Sequence, residues 1–573
     1  MNQTTHNSVV AVAGIWHEGS VAHLHNTSLS YLATERVTRK KYAGLTDPDS
    51  LKLLLQSMQI DTNSVDTYVW VGTQNYHNTH IHGHELQDYF ESLSQGKTHL
   101  LLDHHMAHQA SSYYTSNFDE ALVLSIDDVG DGLSGRLAIG RGNTLTQIDQ
   151  MDAQFSLGRL WEAVNILLGF SGANDSGKTM ALTAWGKTPR YLPFLNNLVR
   201  YDSYFPQFAD SEKNPPQLHQ MFGNTFNGNA VLANYLSVQL NIPFASPLLH
   251  TYLGKTPPAE FAHIFEDYYD LVLSIQEFTS QTIAKIIQNA AKKYGINNVC
   301  LAGGVSLNGV SNTHLLEQSE VHNLHVPPMV SDCGLSIGGV LWVKNMLEKK
   351  SFRTAHPFIP YSGPAFTSAI EGVLHKYQKD IEIMHPESIE KTTAQLLSEG
   401  NIIGWYQGQS EIGPRALGNR SILAHPGKAG MKDRINHIIK KRESFRPFAP
   451  SVLAEHAHVY FELSEKLRES PYMLFIAPVK TDKQELVREI MHEDKTGRLQ
   501  TVHKEINPKY HNLINEFYSL TGIPLILNTS FNDNAEPIVH TPEDAMICFL
   551  ENNIDYLVLE DVLIKPKKHL STS

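Results

Sequence analysis

The stretch SGANDSGKTM, Ser171–Met180, contains Gly172-x-x-x-x-Gly177-Lys178-Thr179 and matches the P-loop pattern letter for letter. Whether it is a P-loop decides the fold. A P-loop needs a buried strand running into its first glycine and a full helix after its lysine. Here the lead-in is LWEAVNILLGF, where Trp161, Val164 and Leu168 recur at helical spacing. The segment after Thr179 reaches only Gly186 before Pro189. An acidic strand end would normally follow a P-loop, yet Asp127 lies upstream. The match is a coincidence of letters on a helix–loop–helix, and the fold has to be read from the rest of the chain.

The chain has 573 residues, room for two to four domains. It carries 46 basic and 59 acidic residues, a net charge of -13, which argues against a nucleic-acid partner. Three cysteines lie far apart, so a disulfide framework or zinc ribbon is not expected and a reducing cytoplasm is. The start, MNQTTHNSVVAVAGIW, lacks a basic region, and no apolar run is long enough for a membrane span. Neither a signal peptide nor a membrane is expected.

Strands alternate with helices, which indicates an α/β architecture. Val9–Trp16, Ser28–Arg36, Thr67–Gly72 and Ala121–Asp128 read as strands. A long helix spans about Phe261 to Tyr294, a short strand follows at Asn298–Ala302, and a helix is predicted over Leu335–Leu347. Lys349–Phe366, basic and then rich in proline and small residues, reads as a linker. Beyond it come a helix near Glu387–Ser398, strands at Asn401–Gln407 and Ile523–Ser530, and a helix at Thr541–Leu550.

Four clusters could carry chemistry. In LLDHHMAHQASS, His104 and His108 stand at i and i+4 on one helix face. With 30 histidines such pairs arise by chance, and His80 with His84 forms another inside the surface-like cluster His77–His84. The first pair is set apart by Asp127, at the end of a buried strand where active-site carboxylates gather in α/β folds. Two histidines with carboxylates suit Fe, Mn or Zn. In LAGGVSLNGVSN, Gly303 and Gly304 would let backbone amides approach a phosphate, with Asn308 just beyond; many such glycines serve only packing. The segments GPRALGNRSILAHP, KKRESFRPFAPS and GRLQTV bring Arg415, Arg420, Lys440, Lys441, Arg442, Arg446 and Arg498 into an acidic chain. Arginine's planar fork suits phosphate. A solvated charged face accounts for Lys440–Arg442, but not for arginines set in FRPFAP. Lastly, NTSFNDNAEPIVHTPEDA offers amides and hydroxyls at a strand end, which are also ordinary turn formers.

GIWHEGS, GPRALGNRSIL, FRPFAPSVL, SPYMLF, RLQTV and LNTSFN, in this order, resemble the O-carbamoyltransferases of antibiotic, toxin and nodulation-factor biosynthesis. The resemblance covers nearly the whole chain. It implies an N-terminal domain of the actin-like ATPase class, built from two similar lobes and akin to the tRNA threonylcarbamoyl transferase, over residues 1–355. A C-terminal α/β domain akin to threonylcarbamoyl-adenylate synthase would occupy 356–573. It implies that ATP and carbamoyl phosphate give carbamoyl-adenylate in the second domain. The first domain, holding Fe(II) or another divalent metal, would then pass the carbamoyl group to a hydroxyl of a small acceptor. Mg2+ would accompany ATP, and a homodimer is compatible with the reading.

Matched to this family, His104, His108, Asp127 and Asp332 are the metal ligands. Gly303, Gly304 and Asn308 form a nucleotide-contacting turn. His17 and Lys41 flank the transfer site, with His17 the candidate general base, since histidine titrates near working pH; merely orienting the carbamoyl group is the other role open to it. Arg415, Lys440 or Lys441, Arg446 and Arg498 form the basic cluster of the adenylate site, lined by Asn528 and Ser530. SGKTMAL stands where the family has Glu-Gly-Lys-x-Met-x-Leu, so Lys178 is expected near a carbamoyl or phosphate group. Three departures occur: His17-Glu18 for His-Asp, Ala33-Thr34-Glu35-Arg36 for a run of glutamates before the arginine, and Ala535 for a glycine. A tRNA threonylcarbamoyl transferase and a non-catalytic relative are the alternatives. A hydrogenase-maturation carbamoyltransferase would need zinc-finger cysteines that this sequence lacks. The aromatic stretch Tyr201–Gln220 is a candidate wall for a sugar or polyol.

Overall fold

The computed structural model describes residues 7–73, 84–209, 228–348, 352–355 and 357–567. Two sheets of five strands open the chain. The first has β1 (Ser8–Ala13), β2 (Ser20–His25), β3 (Ser28–Ala33), β4 (Thr67–Val71) and β5 (Thr98–Leu102), in the order β3-β2-β1-β4-β5. β1 pairs antiparallel with β2 and parallel with β4. The second has β6 (Glu120–Gly130), β7 (Leu133–Arg141) and β8 (Thr144–Asp152). After a small hairpin of β9 (Val199–Arg200) and β10 (Gln207–Phe208), it adds β11 (Asn298–Ala302) and β12 (Asn323–His325). Its order is β12-β11-β6-β7-β8, the first sheet's order over again, with the same pattern of parallel and antiparallel neighbours. The two similar lobes are therefore present, as an actin-like ATPase domain requires. The central strands show why they sit centrally: SVVAVA of β1 is buried at every position, and so is most of EALVLSIDDVG of β6.

Two helices join the lobes. His104–Tyr113 follows β5 and is capped by Asp103, whose carboxylate accepts from Met106 N–H over 2.9 Å. Leu335–Trp342 packs against it and against the first sheet. The approach is close because Gly338 lacks a side chain; a Cβ there would lie 1.9 Å from the Ala107 carbonyl oxygen.

The C-terminal part is one eight-stranded sheet. Its strands are β13 (Ile381–Met384), β14 (Ile403–Tyr406), β15 (Arg420–Ala424) and β16 (Ala449–Leu453). After a second small pair, β17 (Ala477–Pro478) with β18 (Thr496–Gly497), come β19 (Gln500–Val502), β20 (Leu525–Ser530), β21 (Tyr556–Leu559) and β22 (Val562–Pro566). The order is β13-β22-β21-β14-β15-β20-β16-β19. It is held to the lobes by Arg39, which donates to the Ile538 and Pro537 carbonyls, and by Asn312, which donates to the Leu474 carbonyl.

SGANDSGKTM is led in by the helix Leu157–Leu167 and holds a 3-10 turn, Ala173–Asp175, and most of the short helix Ser176–Ala181, so no strand precedes its glycine. Among the described residues no helix is long and apolar enough to cross a membrane. The three cysteines are buried and unpaired in disulfides. Most of the cluster His77–His84, and Tyr201–Gln220 beyond residue 209, lie outside the described residues.

Candidate active site and metal centre

His104, His108, Asp127 and Asp332 converge, with one ligand atom from each within 4.8 Å of the others. His104 Nε2 and His108 Nε2 lie 3.1 and 3.0 Å from Asp127 Oδ2, and 3.6 and 3.3 Å from Asp332 Oδ1. Each is brought there by ordinary local chemistry. The Asp131-Gly132 turn between β6 and β7 has both residues at positive φ, and the Asp131 carboxylate accepts from His104 N–H over 2.9 Å. The other oxygen of Asp127 accepts from Gly304 N–H at 3.1 Å and Asp128 N–H at 2.9 Å. Gly303, at φ +88°, makes the turn that aims the first of these amides. Asp332 opens the turn before Leu335–Trp342, and Glu18 Oε2 accepts from the next residue's amide, Cys333 N–H, over 3.3 Å.

Two neutral nitrogens and two carboxylates form a donor set that a divalent transition metal fits. The charges agree. Burial would lower His108, but the hydrogen bonds to Asp127 and Asp332 push it up to about 9. Burial would raise Asp127, but His104 and His108 hold it well below the usual carboxylate range. A metal would take the place of these protons.

A cavity of about 250 Å3 is walled by both parts of the chain; none of the four ligands lines it, but Cys333, next to Asp332, does. Lys41, Tyr42 and Arg36 face it from the first lobe; Arg415, Arg442, Arg446 and Arg498 face it from the other side. Glu411 Oε1 shapes the GPRALGNR loop by accepting the N–H groups of Leu417, Asn419 and Arg420, each at 2.9 Å. Arg36 donates to the Gly413 carbonyl in the same loop. The guanidiniums are crowded. Burial and then Arg415, Arg442 and Arg446 hold Arg498 well below its ordinary range, and burial with Arg446 brings Arg415 to about 10 despite Tyr42. Like charges packed this closely favour an anion among them.

His17 does not line the cavity but packs behind Tyr42, which does. Its ring stacks on Tyr42, 5.9 Å between centroids. Burial would lower its pKa, but Glu18, Asp332 and Asp127 raise it.

The remaining expected residues sort as follows. Lys440, Asn528 and Ser530 line the cavity. Lys440 Nζ is encircled by Ser530 and Asn532, bonded to the side chain of each and to the Asn532 carbonyl at 2.8 Å, so it secures the LNTSFN turn. Lys441 is exposed and does not line the cavity. Lys178 pairs with Asp175 at 2.9 Å and reaches Glu443 of the other part at 3.4 Å. Asn308 caps the helix Gly309–Leu316 and donates to Gln276. Arg420 is fully buried, stacks over Tyr406 at 3.5 Å and donates to backbone carbonyls, away from the cavity. Sequence reasoning missed Arg442, filed with a solvated face although it stands two residues after Lys440. It also missed Tyr42, Arg36 and Asn532, the buried Glu162, which burial raises to about 8, and the partly exposed Asp128, raised to about 6.

Residues 95–341 match the family model for the carbamoyltransferase N-terminus, and residues 394–566 match that for the carbamoyltransferase C-terminus. The chain is 35% identical over 468 residues to the nodulation protein NolO of Bradyrhizobium diazoefficiens, covering 81% of this chain and 79% of that one. It is 30% identical over 539 residues to the uncharacterized protein MJ1051 of Methanocaldococcus jannaschii, covering 94% and 95%. Among solved structures it is similar to HypF of T. kodakarensis at 15% identity and a TM-score of 0.35, covering 61% of this chain and 48% of HypF.

Proposed function

The chain belongs to the carbamoyltransferase family, and from that premise we propose that it is an ATP-dependent O-carbamoyltransferase working in two steps across its cavity, with the domains divided at residues 355 and 356. In the first step ATP, carbamoyl phosphate and one water give carbamoyl-adenylate, pyrophosphate and orthophosphate. Water takes the phosphoryl group of carbamoyl phosphate as orthophosphate, breaking the phosphorus–oxygen bond to the carbamoyl unit; the freed carbamate oxygen bonds to the α-phosphorus and the α–β anhydride breaks. In the second step a hydroxyl oxygen of a small acceptor bonds to the carbamoyl carbon. The carbon–oxygen bond to AMP breaks, and the hydroxyl proton passes to a base.

One observation carries the reading: one cavity is lined by Arg415, Arg442, Arg446 and Arg498 on one side and by Lys41 and Tyr42, on which His17 stacks, on the other. Free carbamate loses carbon dioxide, so an anhydride made and used within one enclosure is protected from water. Arg415, Arg442, Arg446 and Arg498 neutralise the phosphates and orient them. His17 takes the acceptor proton. A divalent metal such as Fe(II), held by His104, His108, Asp127 and Asp332, would supply Lewis acidity to a carbamoyl or phosphate oxygen. Mg2+ accompanies ATP, and the substrates place the reaction in the cytoplasm.

The test is Arg446→Ala. It should abolish pyrophosphate release from ATP with carbamoyl phosphate, yet leave transfer from pre-made carbamoyl-adenylate largely intact. Equal loss of both steps in a folded variant would sink the division of labour. A carbamoyl mass gain on one of a panel of hydroxylated metabolites would identify the acceptor. Product from threonine, bicarbonate and tRNA would instead mark a tRNA-modifying enzyme.

A further inference from the structure

Resting on the two-step reading above, we infer that Arg36, a residue of the transfer domain, positions Arg415 for adenylate formation in the other domain, so that the first step depends on the two parts being docked. The loop GPRALGNR is fixed on one flank from inside its own domain. Glu411 Oε1 gathers the amides of Leu417, Asn419 and Arg420, and the Ala416 carbonyl accepts from Asn528 Nδ2 over 3.1 Å. The tip that carries Arg415 is held from outside. Arg36 Nη2 donates to the Gly413 carbonyl over 3.1 Å. Gly413 stands at φ +91°, and a Cβ on it would lie 2.3 Å from the Pro328 carbonyl oxygen. Pro328 belongs to the second lobe, beyond β12 and four residues before Asp332. The tip is thus seated between a side chain of one lobe and the backbone of the other.

Charge argues that Arg36 grips the loop and not a substrate. Its side chain is buried, and burial lowers its pKa while Glu35 and Glu411 raise it. Arg36 Nε lies 3.6 Å from Glu35 Oε1, and Glu35 in turn accepts from Tyr42 N–H over 3.0 Å. With two carboxylates already offsetting it, the guanidinium offers an anion less than Arg415 and Arg498 do, since those are crowded by like charges. Its Nη1 has no hydrogen-bond partner, so direct contact with a substrate is the rival role that the experiment has to separate. The element carrying Arg36 serves docking along its length. The helix Thr34–Thr38 ends at Arg39, a non-glycine residue at φ +58°, and Arg39 donates to the Ile538 and Pro537 carbonyls over 2.8 and 3.0 Å. A left-handed backbone is costly for such a residue, and here it aims a second arginine at a second loop of the cavity wall. Without Arg36 the tip loses its hold, and a small displacement of a phosphate-binding arginine slows a reaction that relies on positioning.

The test is a double-mutant cycle on pyrophosphate release from ATP with carbamoyl phosphate. Arg36→Met, or Arg36→Gln if the first variant does not fold, should lower kcat/KM by roughly 10- to 100-fold, the worth of a hydrogen bond from a charged group. Transfer from pre-made carbamoyl-adenylate should stay largely intact, although Arg36 lies in the transfer domain. Arg36→Lys keeps the charge and a donor and should recover most of the loss. On an Arg415→Lys background, where the guanidinium that Arg36 positions is already gone, Arg36→Met should cost less than about threefold. Losses that multiply would put Arg36 on the substrate or in the fold at large and overturn the inference, as would an equal loss of transfer. Arg39→Met frees the other loop of the same interface, and its loss should multiply with that of Arg415→Lys. If it too shrank on that background, docking in general and not Arg36 would set Arg415, and the inference would fall. No pyrophosphate from the wild-type chain would overturn the two-step reading, and this inference with it.

Discussion

His540 is a buried histidine with no catalytic part, and it sets a pH limit on the fold. Burial, then Arg36, Arg420 and Arg39, lower it from 6.5 to about 3. The unfolded chain therefore takes up this proton first. The stability it protects is complete above pH 6.5 and drains away as pH falls toward 3, by about 1.4 kcal/mol per pH unit. His540→Gln should remove one proton's worth of that slope in urea unfolding between pH 6.5 and 4.5; an unchanged slope would show that other groups dominate. At the metal centre, His108→Ala should lose bound metal and carbamoyl transfer while keeping pyrophosphate release. Full metal occupancy in that variant would point elsewhere, to the cluster His77–His84. His104, His108 and Asp127 were legible because i, i+4 histidines and a strand carboxylate are local patterns, whereas Asp332, in a turn, was reached only through the family resemblance. Arg442 was not, since Lys-Lys-Arg looks like a solvated face until Lys440 is seen turned inward on Ser530 and Asn532. Arg36 and Tyr42 were not, since they enter the cavity only through tertiary docking.

Among the elements, the pair of helices joining the lobes is the sensitive one. Gly338→Ala would set a methyl 1.9 Å from the Ala107 carbonyl and wedge the helices apart, costing roughly 1–3 kcal/mol. Because one helix carries His104 and His108 and the other follows Asp332, metal affinity should fall with it. Gly372→Ala, in the helix Ile370–Tyr377 and facing open space, should be neutral or stabilising by roughly 0.5–1 kcal/mol. Thermal unfolding of both variants beside a metal titration checks the contrast. The elements themselves were largely readable: Asn298–Ala302 forms the strand expected there, and the long helix runs Ala262–Tyr294. Ser28–Arg36, expected as one strand, turns helical at Thr34, where the chain leaves the sheet to reach the cavity. Strand order was beyond reach, because pairing β1 with β4 or β6 with β11 depends on contacts far apart in sequence.

At the scale of the whole molecule, function rests on the two parts staying docked. Lys178 and Glu443 meet across the boundary at 3.4 Å, half-buried. Lys178→Glu and Glu443→Lys should each lower the fraction of adenylate converted to product, and the double exchange should restore part of it, with a coupling of about 1 kcal/mol. Equal yields in all four proteins would show the pair to be idle. The ligand quartet has a consequence for the molecule as a whole. Its members come from the helix His104–Tyr113, from β6 and from the turn that precedes Leu335–Trp342, so no unfolded chain presents them together. Mass action then makes heat resistance a gauge of metal supply. At a free metal concentration a hundred times the dissociation constant, the folded form gains about 2.7 kcal/mol. A series of melting curves across metal concentrations would read out that constant without any assay of turnover.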